Sequence, residues 1–390
     1  MDAIVKALEL FFYLCRVRRG PGGPRYSRPG GRRYITYWRY ITYWQNALVC
    51  CAVAMIVASS VARAAEHAAA RETTLAHVRA AGVLRCGIDQ EEAEYTTSDD
   101  HGNREAFDAD LCRAVAVAVL GKDAQASAAH FPDDQSAMLA LKQGEVELAA
   151  TLPDDFSHAV GTHLEFTRPV LWDGVGFLLP DGSKVLRARQ LSGKKICFIA
   201  ETAVEESVRA WFARERLDFV PFPFQEEGEM QAAFATGNCG ALAGEATRLA
   251  ETRVALAQHG HRARLLPERV STDPLAAAVR EDDPQWAAIV RWVMEALIAA
   301  EEHGVTQANV EAMRKHADSD PALRFLLGGS REIGPALGLN NDWVTRVIAA
   351  TGNYGEIYER DLGSGSALKL PRGENKLRTH GGAMIALPTQ

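Results

Sequence analysis

From residue 73 onward, segments with helical periodicity alternate with short apolar runs, and the alternation comes in two blocks joined by glycine-marked links. Few architectures accept that pattern: alternating α and β elements with short connections build a mainly parallel sheet wrapped by helices, here twice over. In the first block Thr73–Ala81 reads as a helix with Leu75 and Val78 on one side, stopped by Gly82 before the strand-like Val83–Ile88. Phe107–Leu120 is expected to be an amphipathic helix capped by Asp108, followed by a strand near Ala128–Phe131, a helix over Ser136–Lys142 and a strand over Val146–Ala150. The second block opens with Lys194–Ala200, continues in a helix over Ala203–Glu215 and repeats to about Leu266. Leu275–Val279 and the long helix Pro284–Glu302, with Trp286, Ile289, Trp292, Val293 and Leu297, read as a return to the first lobe. Chain crossings near Gly176–Pro180 and Leu275–Val279 would form a two-strand hinge beside a cleft suited to a small ligand.

Composition excludes several partners. At 47% hydrophobic and 24% charged the chain is globular, and residues 65–390 carry 33 basic against 48 acidic side chains, a balance that argues against nucleic acid. No phosphate-cradling glycine motif follows a strand, so no cofactor is expected. His259 and His261 sit among loop residues, so no metal is expected either. The apolar run Ala47–Ala58 is short for a bilayer span and is followed by Ala62-Arg63-Ala64, the layout of a secretory signal with cleavage after Ala64 or Ala65 and a periplasmic destination. Upstream, the direct repeat Arg33–Trp38 and Arg39–Trp44 is unlike a signal and suggests a start placed too early. Beyond Ala65 four cysteines remain, Cys86, Cys112, Cys197 and Cys239, an even number that suggests two disulfides. Sequence order leaves three pairings open; Cys86–Cys112 with Cys197–Cys239, one bridge per lobe, is favoured.

The end of the chain carries a family likeness. Leu339-Asn340-Asn341-Asp342-Trp343, Gly352-Asn353-Tyr354-Gly355-Glu356-Ile357-Tyr358-Glu359-Arg360, Gly363–Ser366, Arg372–Asn375 and Gly381–Met384, with Phe107–Val115 earlier, resemble the general L-amino-acid-binding proteins of ABC transporters (solute-binding protein family 3). The likeness spans nearly all of residues 73–390. It implies a type II-like, two-lobed venus-flytrap receptor, an α/β periplasmic-binding-protein fold, that captures amino acids and delivers them to permease subunits in the inner membrane. The domains are then an N-terminal extension plus signal over 1–64, first lobe over 73–178, second lobe over 179–275, and a return with a C-terminal extension over 276–390.

The resemblance also implies a ligand site, from which this chain departs. In Thr151–His158, which brings Thr151 and Leu152 to the site, His158 stands where the family has its carboxylate-binding Arg. The turn usually offering amides and hydroxyls to that carboxylate reads Ala200-Glu201-Thr202-Ala203, with Glu201 in place of Gly, and Glu245 replaces the Asp that binds the ammonium. The loop Asp89–Tyr95 is acidic, with Asp89 at its start and Tyr95 available as an aromatic wall. An acidic pocket makes a cationic compound an alternative to an ordinary amino acid. Two other classes compete with the transport receptor: a cyclohexadienyl-dehydratase-like enzyme using Glu201 or Glu245 with His158, and a sensing or docking protein with an altered pocket.

Overall fold

The computed structural model describes residues 73–89, 104–317, 320–329 and 333–388. The apolar run at 47–58, the repeat at 33–44, the cleavage positions and Tyr95 lie outside the described residues, as does the side chain of Asp89. Among the described residues no helix is long and apolar enough to cross a membrane.

Two five-stranded sheets organise the chain. The first holds β1 (Val83–Asp89), β2 (Gln125–Phe131), β3 (Leu148–Pro153), β4 (Leu164–Asp173) and β10 (Asp273–Arg280) in the order β2-β1-β3-β10-β4. The second holds β5 (Val175–Pro180), β6 (Lys195–Ile199), β7 (Val220–Phe224), β8 (Ala241–Glu245) and β9 (Ala263–Leu265) in the order β7-β6-β8-β5-β9. Pairing is parallel for β1 with β2 and β3, and for β6 with β7 and β8. It is antiparallel wherever β10 or β5 takes part. Each sheet is thus parallel except for one reversed strand, and that strand is the one formed just after the chain enters from the other lobe.

This reversal orients both lobes. β4 ends at the hinge and β9 runs into the return crossing, so the strands parallel to them also end on the hinge side. The carboxyl ends of β1 and β3 in one sheet, and of β6 and β8 in the other, therefore share the edge where α/β sheets place their ligands.

The crossings themselves lie at Gly174 and over residues 266–272, earlier than Gly176–Pro180 and Leu275–Val279, because those apolar runs are strand interiors buried in their sheets. The crossings touch. Gly174 has φ +153°, a Cβ there would stand 2.4 Å from the Ser271 carbonyl oxygen, and the Val175 N–H donates to Ser271 Oγ at 2.8 Å.

The first lobe carries α1 (Thr74–Ala81), α2 (Arg104–Leu120), α3 (Asp134–Gln143), the single turn α4 (Phe156–Ala159) and, after the return, α8 (Pro284–Glu302). The second carries α5 (Ala203–Glu215), α6 (Glu227–Ala235) and α7 (Ala246–Gln258). Thr73 caps α1 and Gly82, at φ +68°, ends it in a left-handed turn. Asp108 is not a cap: α2 begins four residues earlier, and Asp108 lies buried on its inner face. On α8, Trp286, Ile289, Val293 and Leu297 are buried, and Trp286 Nε1 donates to the Glu147 carbonyl at 2.8 Å. Trp292 was expected in that stripe, yet it is 41% exposed, because at about 3.6 residues per turn it falls to one side.

The tail adds α9 (Val310–Lys315), α10 (Pro321–Leu326), α11 (Ile333–Ala336), α12 (Trp343–Thr351) and α13 (Tyr354–Asp361). Its aromatics pack on the first lobe: Phe107 meets Tyr354 and Tyr358 edge-on at 6.3 Å between ring centroids. Arg360 bonds the Asp110 carboxylate of α2, and Arg372 grips Glu301 of α8 with two hydrogen bonds at 2.5 and 3.0 Å. Both disulfides favoured from sequence are present, Cys86–Cys112 joining β1 to α2 and Cys197–Cys239 tying β6 to the segment before β8.

Candidate functional site

On the first-lobe edge, β3 leads directly into α4. Thr151 and Leu152 are nearly buried, and the Thr151 hydroxyl donates to both Asp108 oxygens at 2.8 and 2.9 Å. Both side chains thus pack into the lobe interior at this end of β3.

Past Pro153 the character changes. Asp155 caps the α4 turn, accepting the N–H groups of Ser157 and His158 at 2.8 and 2.9 Å and the Ser157 hydroxyl at 2.7 Å. His158 Nδ1 lies 2.8 Å from the second Asp155 oxygen. Burial pushes the Asp155 carboxyl up, but the hydrogen bonds from Ser157 and His158 outweigh it and hold the group at about 2. The His158 imidazole is therefore already engaged by a firmly ionised carboxylate. Asp154 is driven the other way, raised by burial and by the neighbouring Asp155 charge. Phe156, between them and the imidazole, leaves 84% of its surface open.

On the second-lobe edge, the register that sets Cys197 beside Leu242 carries the turn after β6 alongside Glu245 at the end of β8. Glu201 occupies a left-handed backbone conformation at φ +60°, one that a glycine would take without strain. Its N–H donates to Glu205 Oε2 at 2.9 Å, and Arg209 Nε donates to Glu205 Oε1 at 2.7 Å. Those two donors hold the Glu205 carboxyl below the usual range, the backbone N–H of Glu201 contributing most. Thr202 caps α5, accepting the Glu205 N–H at 3.4 Å while its hydroxyl donates to the Ile199 carbonyl at 2.9 Å. The Glu201 amide and the Thr202 hydroxyl are thus both satisfied within the chain. Glu245 is half-buried at the start of α7.

Topology brings His158, Glu201, Thr202 and Glu245 to hinge-facing edges, and Asp89 ends β1 on the same side. Three residues not singled out from sequence shape these edges: Asp155, Glu205 and Asp173. The first two are legible in hindsight, Asp155 as a cap three residues before His158 and Glu205 four residues after Glu201 and four before Arg209. Asp173 is not, because its partners are distant: it accepts the N–H groups of Gly174 and Ala246 at 2.8 and 3.0 Å and the Thr247 N–H and hydroxyl at 3.3 and 2.5 Å. The last residue of β4 thereby caps the helix that opens beneath Glu245. Among the described residues no group of three or more His, Cys, Asp and Glu side chains is placed to hold a metal ion.

Known proteins share this sequence and fold. The general L-amino acid-binding periplasmic protein AapJ of Rhizobium johnstonii is 37% identical over 329 residues, 83% of this chain and 94% of that protein. The glutamate/glutamine/aspartate/asparagine-binding protein BztA of Rhodobacter capsulatus is 36% identical over 322 residues, 82% of this chain and 94% of its own. A periplasmic binding protein of an ABC transporter from Brucella ovis, solved with glutathione bound, superposes with a TM-score of 0.70 at 36% identity, covering 82% of this chain and all of its own. No protein-family model matches. With hinge, reversed strands and tail in place, and with relatives matched along almost their whole length, the chain belongs to the periplasmic amino-acid-binding proteins of ABC transporters.

Proposed function

We propose that this receptor captures a cationic amino acid or related amine between its lobes and hands it to inner-membrane permease subunits, after export directed by residues 47–65. The observation that carries the reading is the Glu205 side chain seated on the Glu201 amide. It fills with an internal carboxylate the place where a ligand carboxylate would otherwise be received, while Glu201 and Glu245 add negative charge to the same edge. A ligand ammonium is favoured there and a second carboxylate is opposed, since desolvated charges need partners of opposite sign. Glu245 is assigned the ammonium. His158, held by Asp155, is assigned a secondary contact to a ligand carboxylate, and Asp89 and Tyr95 are assigned to the ligand from the sequence resemblance alone. The role is binding without turnover, in keeping with relatives named as binding proteins.

The test is ligand-dependent thermal unfolding of the purified protein with lysine, arginine, ornithine, putrescine, leucine, glutamate and prephenate. A ligand bound only by the folded state at a hundred times its Kd adds about 2.7 kcal/mol and a corresponding rise in Tm. A saturable rise with the basic compounds, none with glutamate, and a loss of about tenfold or more in affinity in Glu245→Gln is the expected result. An equal response to glutamate or leucine would sink the cationic assignment, and consumption of prephenate would redirect the chain to the dehydratase class.

A further inference from the structure

A cavity of about 460 Å3 lies at the hinge and is walled by the end of β4, helix α7, the return crossing and the tail around residues 369–375. Its wall carries Arg253, Arg269, Lys369 and Arg372 against the carboxylates of Asp173 and Glu374. The cations are not equivalent. Arg372 is paired with Glu301 and also donates to the Asn375 carbonyl at 2.6 Å. Asp173 spends its oxygens on Gly174, Ala246 and Thr247.

Arg253 and Arg269 are left with backbone carbonyls. Arg253 donates to the Leu368 carbonyl and Arg269 to the Leu266 carbonyl at 3.0 Å, and among the described residues neither forms an ion pair. Burial disfavours the charge on both guanidinium groups, and for Arg269 the nearby Asp173 charge works in the opposite direction. Lys369 joins them from a left-handed backbone conformation at φ +43°. Part-buried guanidinium groups that face a roomy polar cavity and are hydrogen-bonded to backbone carbonyls and not to a carboxylate are what planar oxyanions bind. The volume falls in the range of small-molecule sites.

We propose that this hinge cavity is an anion site, taking a small divalent oxyanion of the phosphate or dicarboxylate class between Arg253, Arg269 and Lys369. The three residues come from the second lobe, the return crossing and the tail, so an occupant would bridge all three parts. It adjoins the second-lobe edge through Asp173 and Ala246 but is opposite to that edge in charge, and it is independent of which amino compound the cleft takes.

The experiment is thermal unfolding and calorimetric titration of the protein, purified after expression of the full chain, with inorganic phosphate and with succinate, in the absence of any amino acid. Sodium chloride at matched ionic strength separates binding from screening. The expected result is a saturable, single-site rise in Tm with at least one of the two anions, weakened about tenfold in Arg269→Gln and reduced in Lys369→Gln, whose exposed side chain tests the site without disturbing the core. The response to each anion identifies which source fits. A linear response shared with chloride, or a saturable one unchanged in Lys369→Gln and Arg253→Gln alike, would overturn the proposal. Lysine binding in the cleft is measured on the same variants and should be retained, so a failure of either site is distinguishable from a failure of the other.

Discussion

Individual side chains at the edges of this receptor are set by their neighbours more than by their type. His158 and Glu201 were both singled out from sequence, and the chain places each at a hinge-facing strand edge. What they do was not legible, since it depends on Asp155 and Glu205 turning back onto them. A similar reversal governs Asp361, at the end of α13, which is completely buried. Burial drives its carboxyl upward, the adjacent Asp110 charge adds to this, and Arg360 opposes it, leaving the group at about 7 against an ordinary value of 3.8. A carboxyl raised on folding is favourable while protonated, so its contribution is intact below about 4 and is lost as pH climbs to about 7. Asp361→Asn removes that loss. The variant is expected to match the parent near pH 3.5 and to exceed it at pH 8 by on the order of 2 kcal/mol in urea unfolding. A constant difference across that range would show that the raised carboxyl is not the cause.

At the scale of elements, helices were the most legible parts. Ala203–Glu215 and Pro284–Glu302 fall where their periodicity and starting residues put them, Thr202 as a cap and Pro284 at the first turn. The start of α2 was misplaced because its first turn, Arg104-Glu105, carries no apolar signal. The hinge was misplaced for a different reason: nothing local marks Gly174, whose need for a bare backbone comes from Ser271, nearly a hundred residues away. Gly174→Ala would force the two crossings apart, and about 2 kcal/mol or more of stability should be lost through overpacking and strain. Chemical unfolding measures it. Gly182→Ala, where an added Cβ meets nothing within 4 Å, is the control expected to cost far less.

For the whole molecule, the family was legible from the tail motifs, and the tail packs on the first lobe. Its aromatics cover α2, and Asn375 accepts the Trp172 N–H at 2.7 Å and donates back to the Trp172 carbonyl at 2.8 Å, fastening the tail beside the hinge. The two disulfides divide between the lobes, closing loops of 26 and 42 residues in sequence separation. Removing the second with Cys197→Ser and Cys239→Ser should cost about 3 kcal/mol, with hydrogen exchange rising in β6–β8 and not in β1–β3. Uniform loss across both sheets would mean that the lobes unfold as one unit.

The reversed strand of the first sheet has a consequence in time. Every strand of the second sheet comes from residues 175–265, an unbroken stretch, whereas β10 must slot between β3 and β4 from more than a hundred residues downstream. A chain emerging amino end first can therefore finish its second lobe while the first still shows two open strand edges. Closing that gap is the slow, long-range step, and until residue 280 arrives those edges are free to meet a neighbouring chain.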